Sequence, residues 1–169
     1  MNSVKAADFL DYYGRVRERT RRVIEVIPPS KIDWAYTRSK FTLADLLRHL
    51  AAAERYVWAE SVMGRPNSYP GHGRALADGY ENVIEYFGRL HEESLDIFSS
   101  LDDQAMLGKC TTPNGSNITT WKWLRALVEH EIHHRGQIYV YLGILGVHVP
   151  PLFGMTSEEL LALSVAQAY

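Results

Sequence analysis

Four stretches of this sequence repeat apolar residues at alternating steps of three and four, and that spacing confines the chain to amphipathic helices packed around one another. The first stripe is Phe9, Tyr13, Val16, Thr20, Val23 and Ile27, and Pro28-Pro29 ends it. The second is Leu43, Leu46, Leu47, Leu50 and Val57, with Thr42 placed as its cap and Gly64-Arg65-Pro66 at its end. After a loop at Asn67–Gly71, the third reads Tyr80, Val83, Phe87, Leu90, Ser94, Ile97 and Leu101. The fourth runs from about Thr120 to Leu145, through Leu124, Leu127, Ile138 and Tyr141, with Gly146 and then Pro150-Pro151 to stop it. Between the third and fourth, Asn114-Gly115 suits a tight turn and predicts a small hairpin or extended excursion over 108–119. Thr156 with Glu159 predicts a capping box for a short last helix carrying Leu160, Leu161 and Leu163. The expected fold is all-α: a four-helix bundle with a short extra C-terminal helix, one domain over residues 1–169.

A chain of 169 residues can bury a real core without disulfides, and its 46% hydrophobic and 22% charged content is that of a globular domain. Its 18 Lys+Arg against 20 Asp+Glu leave a net charge of -2, so no basic field is available for a polyanion. Neither nucleic acid nor membrane is expected as a partner. The basic cluster Arg15 to Arg22 continues a helical pattern and reads as a solvated helix face. A single cysteine, Cys110, and a start without an apolar leader predict a cytoplasmic protein.

The chemistry lies in the histidines. The fourth stripe keeps its spacing from Leu127 to Ile138 if positions 130 and 134 belong to it, and both are histidines. Imidazoles at i and i+4 lie one turn apart on one face and can reach one metal ion. His133 could pair with His130 instead, but it lies about 100° round the helix from His134, beside Glu129 and Gln137, so the stripe favours His134. Zinc sites usually take four ligands, and catalytic ones three from protein, so a further ligand is expected from a facing helix. His49, in the row Leu46, His49, Ala53 and Tyr56, points into or along the bundle interior and is the candidate, though alone it would read as a hydrogen-bonded core or surface histidine, and Ala51-Ala52-Ala53 could leave room for an ion. Glu54 and Glu131 lie near these ligands and could act as bases or orient a histidine, but solvation on the helix surface is the simpler reading. No catalytic side chain is named. His72, His91 and His148 read as surface or loop residues, and Cys110 as a small buried hydrophobe.

Two segments carry a family resemblance: Phe41-Thr42-Leu43 through His49 to Glu54-Arg55, and Glu129-His130-Glu131-Ile132-His133-His134-Arg135-Gly136-Gln137 leading to Tyr141-Leu142 and Pro150-Pro151. The chain resembles the DinB family, the damage-inducible DinB/YfiT-like metalloenzymes, which are distinct from the translesion DNA polymerase of similar name. In that family one histidine on the second helix and an HxxxH pair on the fourth bind a divalent metal, and these positions fall here on His49, His130 and His134. The resemblance further implies an up-down-down-up bundle, a homodimer, and zinc or nickel as the ion. Its better understood relatives include thiol-dependent transferases and isomerases using low-molecular-weight thiols. The implied function is therefore a metal-dependent enzyme, a hydrolase or thiol S-transferase acting on a small molecule such as a low-molecular-weight thiol. The alternative is a non-enzymatic, stress-linked metal-binding or dimeric interaction protein. The fourth coordination position discriminates: an open one beside a pocket fits an enzyme, and closure by Cys110 or Glu54 fits a structural site.

Overall fold

The computed structural model describes residues 5–166. Helix α1 spans Ala6–Ile24. Helix α2 spans Leu43–Ala53 and continues through a π-helical segment, Glu54–Ala59, into a last α-turn, Glu60–Val62. Helix α3 is Tyr80–Ser99, and a short α4, Asp103–Leu107, follows it. Strands β1 (Lys109–Thr111) and β2 (Asn117–Thr119) pair antiparallel with Cys110 opposite Ile118. Helix α5 is Thr120–Ile144, and α6 is Ser157–Ala166. Among the described residues no helix is long and apolar enough to cross a membrane.

The expected boundaries have local causes. Thr42 Oγ1 accepts the Asp45 N–H while Asp45 Oδ2 accepts the Thr42 N–H, both at 3.0 Å, so a reciprocal box starts α2. Thr156 and Glu159 form the same device ahead of α6. Gly146 takes φ +70°, and its N–H and that of Val147 bond back to the Gly143 and Leu142 carbonyls, closing α5. The third helix stops sooner than its stripe suggested. Leu101 lies in a connection, and Asp102 accepts the Ala105 N–H to cap α4, which the sequence reading did not contain.

The bundle core is two apolar clusters. One gathers Val23, Ile27, Leu47, Leu90, Ile138 and Leu142, and the other Tyr13, Val16, Trp58, Phe98, Leu124 and Leu127. Helix α1 meets the second cluster before the first. Helices α2 and α3 meet the first before the second, and α5 reverses that order again. The bundle is therefore up-down-down-up.

Between the clusters lies a layer of polar side chains, to which each helix contributes where its stripe passes from one cluster to the other. Arg17 of α1 sits 3.2 Å from Glu54 of α2 and 3.1 Å from Glu131 of α5, all three nearly sealed from solvent. The Tyr13 hydroxyl donates to Glu131 at 3.1 Å, and His91 Nδ1 of α3 lies 2.8 Å from Glu54 Oε1. Arg135 donates to the Val16 carbonyl from the same level. Burial opposes the Arg17 charge, but Glu131 and Glu54 outweigh it and raise the guanidinium pKa further. Burial, then the two carboxylates, pushes the Tyr13 phenol well above its ordinary value.

This layer corrects four expectations. Arg17 does not belong to a solvated face, because it points inward between Val16 and Thr20 while Arg15 and Arg21 stay outside. Glu54 and Glu131 are each about 1% exposed and so are not helix-surface residues. His91 is held on Glu54 and is only partly exposed. On α5, the path from Leu127 to Ile138 can run through 130 and 134 or through 131 and 135, both with helical spacing. The deep path is Glu131 and Arg135, and the two histidines flank it. On α2 the wider π-helical turn makes Trp58 the buried member, with Val57 half-buried beside it.

Arg17→Ala should lower unfolding stability by about 3–5 kcal/mol, because removing one partner leaves two buried carboxylates without a counter-charge. Urea unfolding at pH 7 checks this. Arg15→Ala, on the exposed side of the same helix, should barely move the midpoint.

Candidate metal centre

His49 on α2 faces His130 and His134 on α5. One ligand-capable nitrogen from each lies within 4.8 Å of the other two. His49 Nε2 and His130 Nε2 are 3.0 Å apart, close to the roughly 3.3 Å that two nitrogens at 2.0–2.1 Å from a tetrahedral zinc would have. The donor set fits a divalent transition-metal ion.

The outer contacts also suit ligands. Gln137 Oε1 lies 2.7 Å from His134 Nδ1, and accepting an N–H there leaves Nε2 of His134 bare for coordination. Tyr69 Oη lies 2.6 Å from His49 Nδ1 and orients that ring in the same way. His130 differs, for its Nδ1 is buried without a partner among the described residues and its ring packs against Trp58. Trp58 is itself fixed by stacking on Trp123 and donating to the Trp123 carbonyl.

Tyr69 reaches His49 because Arg48 ties the connection between α2 and α3 down. Arg48, 2% exposed, donates to the His72 and Ala77 carbonyls at 2.8 Å and to Asp45 at 2.6 Å. The same tether brings His72 beside the site, 3.4 Å from Tyr69 Oη and with its ring against Phe41. His72 is thus no plain surface loop residue. Periodicity gives no signal for Tyr69, His72 or Arg48, because their contacts depend on where a loop lands. Gln137 was within reach of sequence reasoning, one turn beyond His134 on the same helix.

The other candidates stay apart. His133 is exposed and outside the cluster, and His148 is exposed beyond α5. Cys110 is buried in β1, and Glu54 is committed to Arg17 and His91. No fourth His, Cys, Asp or Glu among the described residues joins the three histidines. Ala51 and Ala53 contribute to helix packing in the two apolar clusters. Beside the site, a cavity of about 700 Å3 borders His134 and Gln137.

Burial, then the neighbouring His134 and His72, lowers the His49 pKa to about 4. Burial, then His134 and His49, lowers that of His130 to about 3. His134 is lowered chiefly by burial. All three are neutral at pH 7, the form that binds metal. In metal-free protein, the unfolded chain takes up protons below pH about 6.5 that the folded imidazoles refuse, so stability must fall on acidification. Urea midpoints should drop from pH 7 to pH 5, and a His49→Ala/His130→Ala double variant should lose part of that drop.

A sequence model of the DinB superfamily matches residues 12–138. The uncharacterised protein YrdA of Bacillus subtilis is 22% identical over 156 residues, covering 89% of each chain. Among solved structures, a DinB-like protein of Bacillus cereus superposes with a TM-score of 0.73 at 18% identity, covering 89% of this chain and 99% of its own. YfiT of Bacillus subtilis, described as a probable metal-dependent hydrolase with an unusual four-helix bundle topology, gives 0.65 at 17% identity, covering 86% of this chain and 92% of its own. With three quarters of its length matched by the family and the same bundle in its structural relatives, this chain belongs to the DinB superfamily.

Proposed function

We propose that this protein is a divalent-metal-dependent enzyme, a hydrolase or thiol S-transferase acting on a small molecule, with His49, His130 and His134 as its metal ligands. The observation that carries this reading is the three-imidazole cluster, joined by no fourth protein donor among the described residues and bordered by a cavity. Closure by Cys110 or Glu54 would have favoured a structural site, and neither side chain is in the group. The description of YfiT as a probable metal-dependent hydrolase agrees with this choice.

A divalent ion held there supplies Lewis-acid chemistry, lowering the pKa of a water or a thiol so that it is nucleophilic at neutral pH. The protein's part is to present three neutral nitrogens, which cancel none of the ion's charge and so favour an anionic reactant. Gln137 and Tyr69 hold two of the rings in orientation, and Trp58 packs the third. Glu54 and Glu131 take no role as bases at the site, since Arg17, Tyr13 and His91 hold their carboxylates in the core layer.

In protein purified without a His tag, His49→Ala, His130→Ala and His134→Ala should each sharply reduce metal retained after dialysis, and His133→Ala should keep most of it. Tyr69→Phe should weaken metal affinity about tenfold through loss of the ring's outer hydrogen bond. The same samples go into ester-hydrolysis and thiol-conjugation screens. Turnover that follows metal content supports an enzyme, whereas inertness of the fully loaded protein in both screens counts against it.

Removing the ion should leave the helical signal in circular dichroism intact, because the apolar clusters that pack the helices include none of the three histidines. The melting temperature should fall modestly, since an ion at a hundred times its Kd adds only about 2.7 kcal/mol by mass action. Loss of helix in the stripped protein at room temperature would mark the ion as structural.

A further inference from the structure

We infer that the cavity beside His134 is the substrate site and that it takes a small organic anion, with the apolar body against aromatic walls and the acidic group on Lys40. The inference rests on the metal-enzyme reading above and adds the substrate's chemical class. The volume, about 700 Å3, suits a small molecule; such sites run to roughly 300–1,000 Å3.

One wall comes from the segment preceding α2 and the other from α5. Tyr36 and Phe41 line it from the first and Tyr141 from the second, and the Tyr36 and Tyr141 rings meet edge to face at 5.5 Å. The segment is fixed, because Leu43 and Ala44 at the start of α2 donate to the Trp34 and Ile32 carbonyls at 3.0 and 2.8 Å. Trp34 also braces Tyr141 edge-on at 5.4 Å. These rings form a firm apolar slot leading to the one metal-centre histidine that lines it, His134.

Lys40 is the one Lys or Arg of the lining, which also includes His133 and Ser39, and no Asp or Glu among the described residues lines it. Gln137 commits its carbonyl to His134, so its amide nitrogen remains as a donor beside that ligand. A cationic substrate would find no counter-charge here. An anionic one meets Lys40, the Gln137 amide and no carboxylate to repel it. Lys40 is exposed, so solvent screens its pull, and its effect on affinity is a moderate one.

The test uses two probes of one shape, 3-phenylpropanoate and its neutral amide, titrated calorimetrically into metal-loaded wild type, Lys40→Glu and His130→Ala. The carboxylate should bind wild type about two- to fivefold tighter than the amide. Lys40→Glu, an exposed change that spares the core, should abolish that preference. His130→Ala, impaired in the metal centre, should retain it. Equal binding of the two probes by wild type would overturn the assignment, as would a preference unchanged in Lys40→Glu. A preference that vanishes in His130→Ala would also overturn it, because the carboxylate would then sit on the ion and not on Lys40. Metal content measured on the same samples judges the metal centre separately: wild type that discriminates the probes yet holds no ion would refute the enzyme reading while supporting the chemistry of the cavity.

Discussion

The Arg17 guanidinium, lodged between Glu54 and Glu131, joins three of the four bundle helices through one buried group. Its value lies in orientation more than in stability, because taking three charges out of water offsets most of what their attraction returns. With Glu131 turned inward, successive residues fall at 100° steps round α5. His130 and His134 then lie about 100° and 60° to the same side of it, towards α2. His133 lies well away, on the exposed surface. The pairing that fills the core layer thereby selects which histidines meet His49.

The same layer explains how the bundle can hold polar chemistry without losing its core. Each helix keeps an apolar stripe on either side of one polar step, and the two clusters seal that step from both ends. The three-histidine cluster lies at its edge, where α5 faces α2, and so draws on both environments. Burial holds His49 and His130 neutral. The adjoining cavity borders His134. Tyr69 arrives from a loop secured by Arg48, so the outer contacts of the site depend on one more buried guanidinium.

Much of this was legible in the sequence, because helices declare themselves through spacing and caps through their side chains. Helices α1, α2, α3 and α5, the Thr42 and Thr156 boxes, the Gly146 stop and the hairpin around Asn114-Gly115 all rest on local chemistry, and each is present. What escaped depends on partners far along the chain. An arginine in a run of arginines looks solvated until Glu54 and Glu131 are placed opposite it. Helical spacing admits both the 130/134 path and the 131/135 path along α5, and only packing against α1 decides which is deep. The motif named three histidines that the fold brings together, even though the stripe argument placed them too far inside. Tyr69 and His72 carry no periodic signal, and the π-helical turn at Glu54–Ala59 leaves none in the spacing of apolar residues.

X-ray absorption on untagged, zinc-loaded protein measures directly whether three imidazoles bind one ion with no further ligand from the protein. Three imidazole nitrogens at about 2.0–2.1 Å and one further light atom are expected. A sulfur at about 2.3 Å, or fewer than three imidazoles, would contradict that coordination.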